Sequence, residues 1–488
     1  MLFNSIAFAC FLPVIFVLYW FVTARKLMVQ NAMLVVASYF FYACWDWRFL
    51  FLLLFSTVLD YISGLQMSAS KNEVTKKFWF VLSIVVNLGF LGVIKYYDFF
   101  ATSFVSLFHS FGISLSIQTL HIILPVGISF YTFHGLSYII DCYKNRIKAE
   151  KNIVDYALFV SFFPLLVAGP IERATHLLPQ LKKPRTFKYE QAVAGLQQIL
   201  WGLFKKSVIA DNLAQFVNPV YNQQISYDGF TLLVATVFFS FQIYCDISGY
   251  SDMAVGIAKL FGINLMKNFN RPYFALSITD FWRRWHISLS TWFKDYVYLP
   301  MGGNKVSLFH LCFNILVVFI ISGFWHGAKW TFVIWGLVHG LALIFNKLTS
   351  QVYKKVEVVL NKLQITQLVN YICTFAFVNI TWVFFRANQV GDAFSILVKI
   401  FKETFLDTAV GNFIEGLPLI GFNEYKLVFL FGLVFVLIYL ETLQKNNLVP
   451  SVFAGNNKFL RYGFIYLLTI SIVCFGYFGK STFIYFQF

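Results

Sequence analysis

The sequence predicts an all-α polytopic membrane protein, and three observations carry that prediction. Hydrophobic residues make up 59% of the 488-residue chain and charged residues only 12%, with a mean hydropathy of +0.70, well outside the composition of soluble domains. Apolar runs able to cross a hydrocarbon layer of about 30 Å follow one another over nearly the whole length, leaving no room for a large soluble domain. Basic residues fall mainly in the short segments between those runs, as the positive-inside rule requires. Roughly 10 to 12 transmembrane helices, with re-entrant and interfacial helices among them, account for this pattern. We read them as one membrane domain over 1–488, with a core at 120–390 and a closing aromatic segment at 483–488.

Charge and cysteine usage exclude several classes. The excess of 38 Lys plus Arg over 22 Asp plus Glu gives a formal charge of +16, which in a soluble protein suggests nucleic acid. Here the bases load the loops, so the expected partner is the lipid bilayer and not nucleic acid. The seven cysteines have no paired spacing and carry neither a disulfide nor a metal signal.

Taken in order, Met1–Ala24 lacks a basic leader and a cleavage site and reads as a retained helix. Leu27–Trp45 and Phe49–Ser70 lie between the basic loops at Arg25-Lys26 and Lys71–Lys77, both assigned to the cytoplasm. Phe78–Ile94 returns outward, and Phe99–Ile140 supplies one crossing plus a partial element broken near Pro125-Val126-Gly127. Tyr156–Ile171 holds Pro164, Gly169 and Pro170 and has basic residues on both flanks. A re-entrant segment satisfies both flanks, and two imperfect crossings with a translocated basic loop are the alternative.

From Gln191 to Cys245 two further runs flank Lys205-Lys206 and an amphipathic stretch ending near Tyr221. Asp246–Asn304 is the most polar part of the chain and is aromatic throughout, which predicts interfacial helices at the cytoplasmic surface. Val306–Asn346 leaves and returns between basic flanks as a helical hairpin or deep broken helix, with His326 near its bend. Leu368–Phe385 goes out and Leu427–Leu440 comes back. Tyr462–Gly479 makes the last outward pass, leaving Phe483–Phe488 at the external face.

The candidate chemistry centres on His326. Ionisable groups at membrane depth are expensive, and this one follows an uncharged run from Val306, among Gly323, Gly327, Trp325 and Trp330, with Lys329 close by. A dry aromatic pocket suits a neutral imidazole acting as general base on a hydroxyl. A core histidine hydrogen-bonded across helices suits the same residues, and both readings stay open at this point. His286 shares a helix face with Trp282 and Arg283, beside Asp280, Arg284 and Asp295, as a structural interface residue or a second polar group. Arg283, Arg284, Lys294, Lys267 and Arg271 can grip phosphates, or can simply load the inner face. His339 has no metal spacing to His326, and no metal is expected. No glycine-rich phosphate loop occurs, so ATP-driven chemistry is not indicated. Tyr485 is the only nucleophile in the aromatic closing segment, as an acyl acceptor or an interfacial belt residue.

These residues resemble a membrane-bound O-acyltransferase of the bacterial alginate O-acetyltransferase type. The likeness rests on Met1-Leu2-Phe3-Asn4-Ser5, Phe281–Tyr296, Trp325-His326-Gly327, Thr381-Trp382-Val383-Phe384-Phe385-Arg386-Ala387 and Phe483–Phe488, and covers essentially the whole chain. It implies a ring of helices around a thin centre crossed by a tunnel, in the bacterial cytoplasmic (inner) membrane. His326 then matches the family's active-site histidine and His286 its second polar position. The donor implied is cytoplasmic acetyl-CoA, with no tightly bound cofactor, contacted by Trp325, Trp282, Arg283, Arg284, Lys294 and Asp295. The resemblance further implies that Tyr485 receives the acyl group and passes it to an extracytoplasmic SGNH or esterase-like partner with a serine nucleophile, which modifies an exported or cell-envelope polysaccharide. D-alanyl transfer from a carrier protein, flipping of a lipid-linked saccharide and a non-catalytic scaffold are the competing functions.

Overall fold

The computed structural model describes all residues except 352–364, 406–412, 415, 445–448, 455–456, 480–482 and 485–488. The described residues are helical with no strand, and the protein is an all-α polytopic membrane protein. Eight helices among them are long and apolar enough to cross a membrane, and Ile6–Val22 and Leu27–Ala43 are shorter apolar helices. The chain forms two compact units, one of Met1–Ile199 with Met253–Met266 and one of Leu200–Asp252 with Lys267–Phe488.

In the first unit, α1 (Ile6–Val17) starts at Ser5, whose hydroxyl caps the Phe8 amide. There follow α2 (Leu27–Ala43), α3 (Arg48–Ala69), α4 (Glu73–Leu91) and α5 (Tyr97–Ser110). Asp60 of α3 is fully buried and accepts from Ser83 and Asn87 of α4, at 2.6 and 2.8 Å. That polar clamp is how two apolar helices in lipid hold a fixed register. A non-helical stretch then reaches Gly127, whose φ of +77° and close approach to the Leu166 carbonyl leave no space for a Cβ. This is the break foreseen near Pro125-Val126-Gly127. After α6 (Ile128–Tyr143), the Tyr156–Ile171 run forms two short helices, α7 (Ile153–Ser161) and α8 (Phe163–Leu166). Each is too short to span a bilayer, and Tyr156–Ile171 is buried throughout. Next come α9 (Ala174–Leu181) and α10 (Tyr189–Leu203), which runs into the second unit.

The second unit opens with a π-helical stretch, Phe204–Ala210, that carries Lys205 and Lys206, followed by α11 (Asp211–Asn222) and α12 (Gly229–Leu260). Here the polar stretch departs from its expected surface placement. The helix does not end at Asp246 but continues through Asp246 and Asp252 for 32 residues in all. The reason is charge pairing inside the protein: Lys206 Nζ lies 2.5 Å from Asp246 and Lys205 Nζ 2.5 Å from Asp252. Paired carboxylates lose the penalty that made them read as surface residues. Beyond α13 (Ile278–Arg284) and α14 (Ile287–Phe293) come the hairpin α15 (Leu308–His326) and α16 (Trp330–Leu348), then α17 (Thr366–Arg386) and α18 (Val390–Phe405). The last two are α19 (Glu424–Thr442) and α20 (Lys458–Phe475).

The hairpin is a close pairing of two backbones. A Cβ on Gly323 would stand 2.2 Å from the Phe332 carbonyl oxygen, and one on Gly336 2.2 Å from that of Phe319. Glycine at both positions therefore lets the two backbones touch, the small-residue packing that apolar helices use where no hydrophobic force drives them together.

Candidate active site

His326 is the last residue of α15, where Gly327 turns the backbone to an extended conformation. It is buried, 5% exposed. Its ring packs edge-to-face against Trp325 at 4.9 Å, Trp335 at 5.2 Å and Phe385 at 5.2 Å between centroids. Three helices supply that enclosure: α15, α16 and α17. Trp330, foreseen as a wall of this pocket, is 55% exposed; the fully buried Trp335, five residues further along α16, packs against the imidazole. A helix C-terminus also favours positive charge on an imidazole that gains a proton during a reaction.

His286 does not share a helix face with Trp282 and Arg283 as its spacing suggested. The helix breaks after Arg284, and His286 itself is left-handed at φ +43°, a conformation uncommon for residues other than glycine. Asn268 and Asn270 hold the break open. The Ile287 amide donates to the Asn268 carbonyl at 2.8 Å, the Ser288 hydroxyl to Asn268 Oδ1 at 2.9 Å, and the Asn270 amide to the Arg284 carbonyl at 2.9 Å. The result turns His286 into the interior, 1% exposed, with its ring 6.1 Å from Trp325 and 5.8 Å from Phe269. Burial lowers its pKa to about 3, so the ring is neutral at physiological pH.

His339 completes the arrangement. Trp282 Nε1 donates to His339 Nδ1 at 3.3 Å, which places the His339 proton on Nε2. Trp335 touches His339 at 4.9 Å as well as His326. Three imidazoles thus lie along one aromatic seam, with Trp325 between His286 and His326 and Trp335 between His326 and His339. No periodic pattern signals this seam in the sequence, because its members come from separate helices and from a backbone break.

A cavity of about 320 Å³ opens beside the seam, lined in part by Trp282, Arg283, Lys294, Phe319 and Ser322. Ser322 lies one turn before His326 on the same helix face, so the cavity reaches the level just beneath the imidazole. Arg283 and Lys294 are exposed there, which suits them to anionic groups. Arg284 instead binds Asp280 at 2.9 Å, and Asp295 is half-buried on the π-helical turn after α14. Lys329, in the bend after His326, has its pKa lowered by burial and then by the Arg386 charge. Tyr485 lies outside the described residues; Phe483 and Ile484 just before it are buried, 0% and 1% exposed.

A buried imidazole at a helix end, aromatic walls and a cationic pocket on a polytopic helical scaffold are compatible with group transfer in a membrane. Comparison with known proteins identifies the group transferred. A model of the membrane-bound O-acyltransferase family matches residues 143–387. The chain is 40% identical over 426 residues to the peptidoglycan O-acetyltransferase of Helicobacter pylori, covering 81% of this chain and 79% of that protein. It is 40% identical over 405 residues to the probable alginate O-acetylase AlgI of Pseudomonas aeruginosa, covering 82% and 75%. The teichoic acid D-alanyltransferase of Bacillus subtilis is 28% identical over 234 residues, covering 45% and 58%. The chain belongs to the membrane-bound O-acyltransferase family, and it is an O-acyltransferase.

Proposed function

We propose that this enzyme takes an acetyl group from cytoplasmic acetyl-CoA and delivers it across the bacterial inner membrane to an acceptor that modifies a cell-envelope or exported polysaccharide. The observation that carries the reading is the seating of His326 in its aromatic enclosure, one turn above a pocket presenting Arg283 and Lys294. The two cations grip the phosphates of the coenzyme, and Trp282 lies along the acyl arm. His326 takes the proton of the acceptor hydroxyl as that oxygen attacks the thioester carbonyl. The C–S bond breaks, and the proton returns to the coenzyme thiolate from the imidazolium. A passage through the protein carries only the acetyl group, since the charged coenzyme cannot cross hydrocarbon. Holding both reactants at one waist supplies proximity worth up to roughly 7 to 11 kcal/mol. Tyr485 is the first acceptor, and an esterase-like partner with a serine nucleophile the next.

Acetyl is preferred to D-alanyl because the relatives named for O-acetyl transfer match at 40% identity over about four-fifths of the chain, against 28% over 45%. The test is incubation of the purified protein with acetyl-CoA labelled in the acetyl group, followed by peptide mapping. Label on Tyr485 supports the relay. Label absent from the whole chain and from added polymer, in protein that remains folded, refutes it.

A further inference from the structure

The segment that carries the proposed acceptor is not merely appended to the chain. Asp246, on the buried face of α12, uses one carboxylate oxygen for Lys206 and gives the other to the chain's closing segment. The Ile484 amide donates to Asp246 Oδ2 at 2.7 Å. Lys206 also pairs with Asp211 at 2.8 Å, and the side chains of all three are 5% exposed or less. The Phe483 ring sits on Tyr250, one turn further along α12, at 4.6 Å between centroids. Lys206 Nζ lies 6.0 Å from that same ring, within cation–π range. The approach to this point is guided too: the Tyr477 amide donates to the Ser207 carbonyl at 2.9 Å and Asn212 donates to the Phe475 carbonyl at 2.8 Å.

Buried ion pairs are poor sources of stability, because desolvation takes back most of the Coulomb gain. Such a pair is better placed as a specific receptor. A carboxylate facing a peptide N–H in a dry site makes a charge-assisted bond that fixes the backbone whatever side chain follows. The aromatic shelf of Tyr250 then selects a ring at the position before it.

We propose that the Lys206–Asp246 pair is a docking socket for Phe483 and Ile484, and that Asp246 is thereby a positioning residue for acyl transfer to Tyr485. The docking half stands on the contacts above; the positioning half rests on the reading of Tyr485 as acceptor. Full-length protein in detergent tests both. Deuterium uptake is followed in the peptide covering 483–488, with α15 as the folding control, alongside acetyl labelling of Tyr485. Asp246→Asn should speed exchange of that segment roughly ten- to a hundredfold, the loss expected for a charge-assisted hydrogen bond. Labelling of Tyr485 should fall with the KM for acetyl-CoA unchanged. Phe483→Ala, which leaves the ion pair intact, should do the same and carries the test if the asparagine variant loses α15 protection. Exchange unaltered in Phe483→Ala and in a folded Asp246→Asn overturns the socket. Faster exchange with undiminished labelling overturns the positioning role. If Tyr485→Phe keeps full transfer to polymer while its segment stays protected, the acceptor reading fails and the socket stands.

Discussion

The His326 ring meets the Trp335 indole edge-to-face, with centroids 5.2 Å apart and planes at 87°. The same indole is fully buried and stacks on Trp382 at 5.9 Å, so it holds the imidazole from the side of α16. Trp335→Ala should destabilise the protein by ~3–5 kcal/mol, the range for truncating a large buried aromatic. Trp335→Phe should keep the fold and lose activity only in part. Detergent melts and initial rates on both variants check this, and an alanine variant with unaltered melt and rate rules out the wall.

On the proposed reading, binding and chemistry fall to different residues. Arg283→Ala and Lys294→Ala should each raise the KM for acetyl-CoA by roughly tenfold or more while changing kcat little, as expected for losing one charge-assisted phosphate contact. Initial-rate kinetics decide it. A fall in kcat at constant KM would place the coenzyme elsewhere.

Backbone contact in the α15–α16 hairpin makes a sharper structural prediction. Gly323→Ala forces a Cβ onto the Phe332 carbonyl oxygen at 2.2 Å, whereas Gly340→Ala comes no nearer than 3.2 Å to the Leu316 side chain and 3.4 Å to Phe319 Cβ. The first should cost about 1–3 kcal/mol or prevent assembly, and the second should be tolerated. Size-exclusion profiles and melts of the two variants compare them, and equal behaviour contradicts the packing.

Acidification should weaken the fold through His286. Its imidazole titrates near 6.5 when exposed and near 3 in the folded protein, so the unfolded chain binds the proton first. The stability this ring contributes is complete above about pH 6.5 and is lost as the pH falls from there towards 3. Between pH 7 and pH 5 the loss amounts to about 2 kcal/mol. His286→Gln should flatten that part of the stability–pH curve, and superimposable curves for variant and wild type would show the ring is not held neutral.

Much of the fold was legible in the sequence because lipid imposes a simple rule: every long charge-free run must satisfy its backbone as a helix. The α15–α16 hairpin, its bend at His326 and the break at Gly127 all followed from run length, flanking charge and Pro-Gly punctuation. What the rule misread was charge inside the protein. Lys205, Lys206, Asp246 and Asp252 look like loop or surface residues one at a time, and only their pairing across the Phe204–Ala210 stretch and α12 makes them interior. His286 was misplaced for a related reason. Its i, i+3 and i, i+4 neighbours suggest a helix face, but the Asn268 and Asn270 contacts that break the helix lie some 16 to 18 positions away, beyond any local pattern. The partners of His326 were half visible: Trp325 is its neighbour, while Trp335 and Phe385 come from α16 and α17.

The central claim is that the His326 imidazole does the proton transfer, and one comparison addresses it directly. Acetyl transfer from labelled acetyl-CoA should be measured for His326→Ala beside the wild type, in protein shown by size-exclusion and melting to be assembled. The account predicts that transfer disappears in the variant while coenzyme binding persists, since Arg283 and Lys294 remain. Transfer at a rate near that of the wild type in the assembled variant would contradict it.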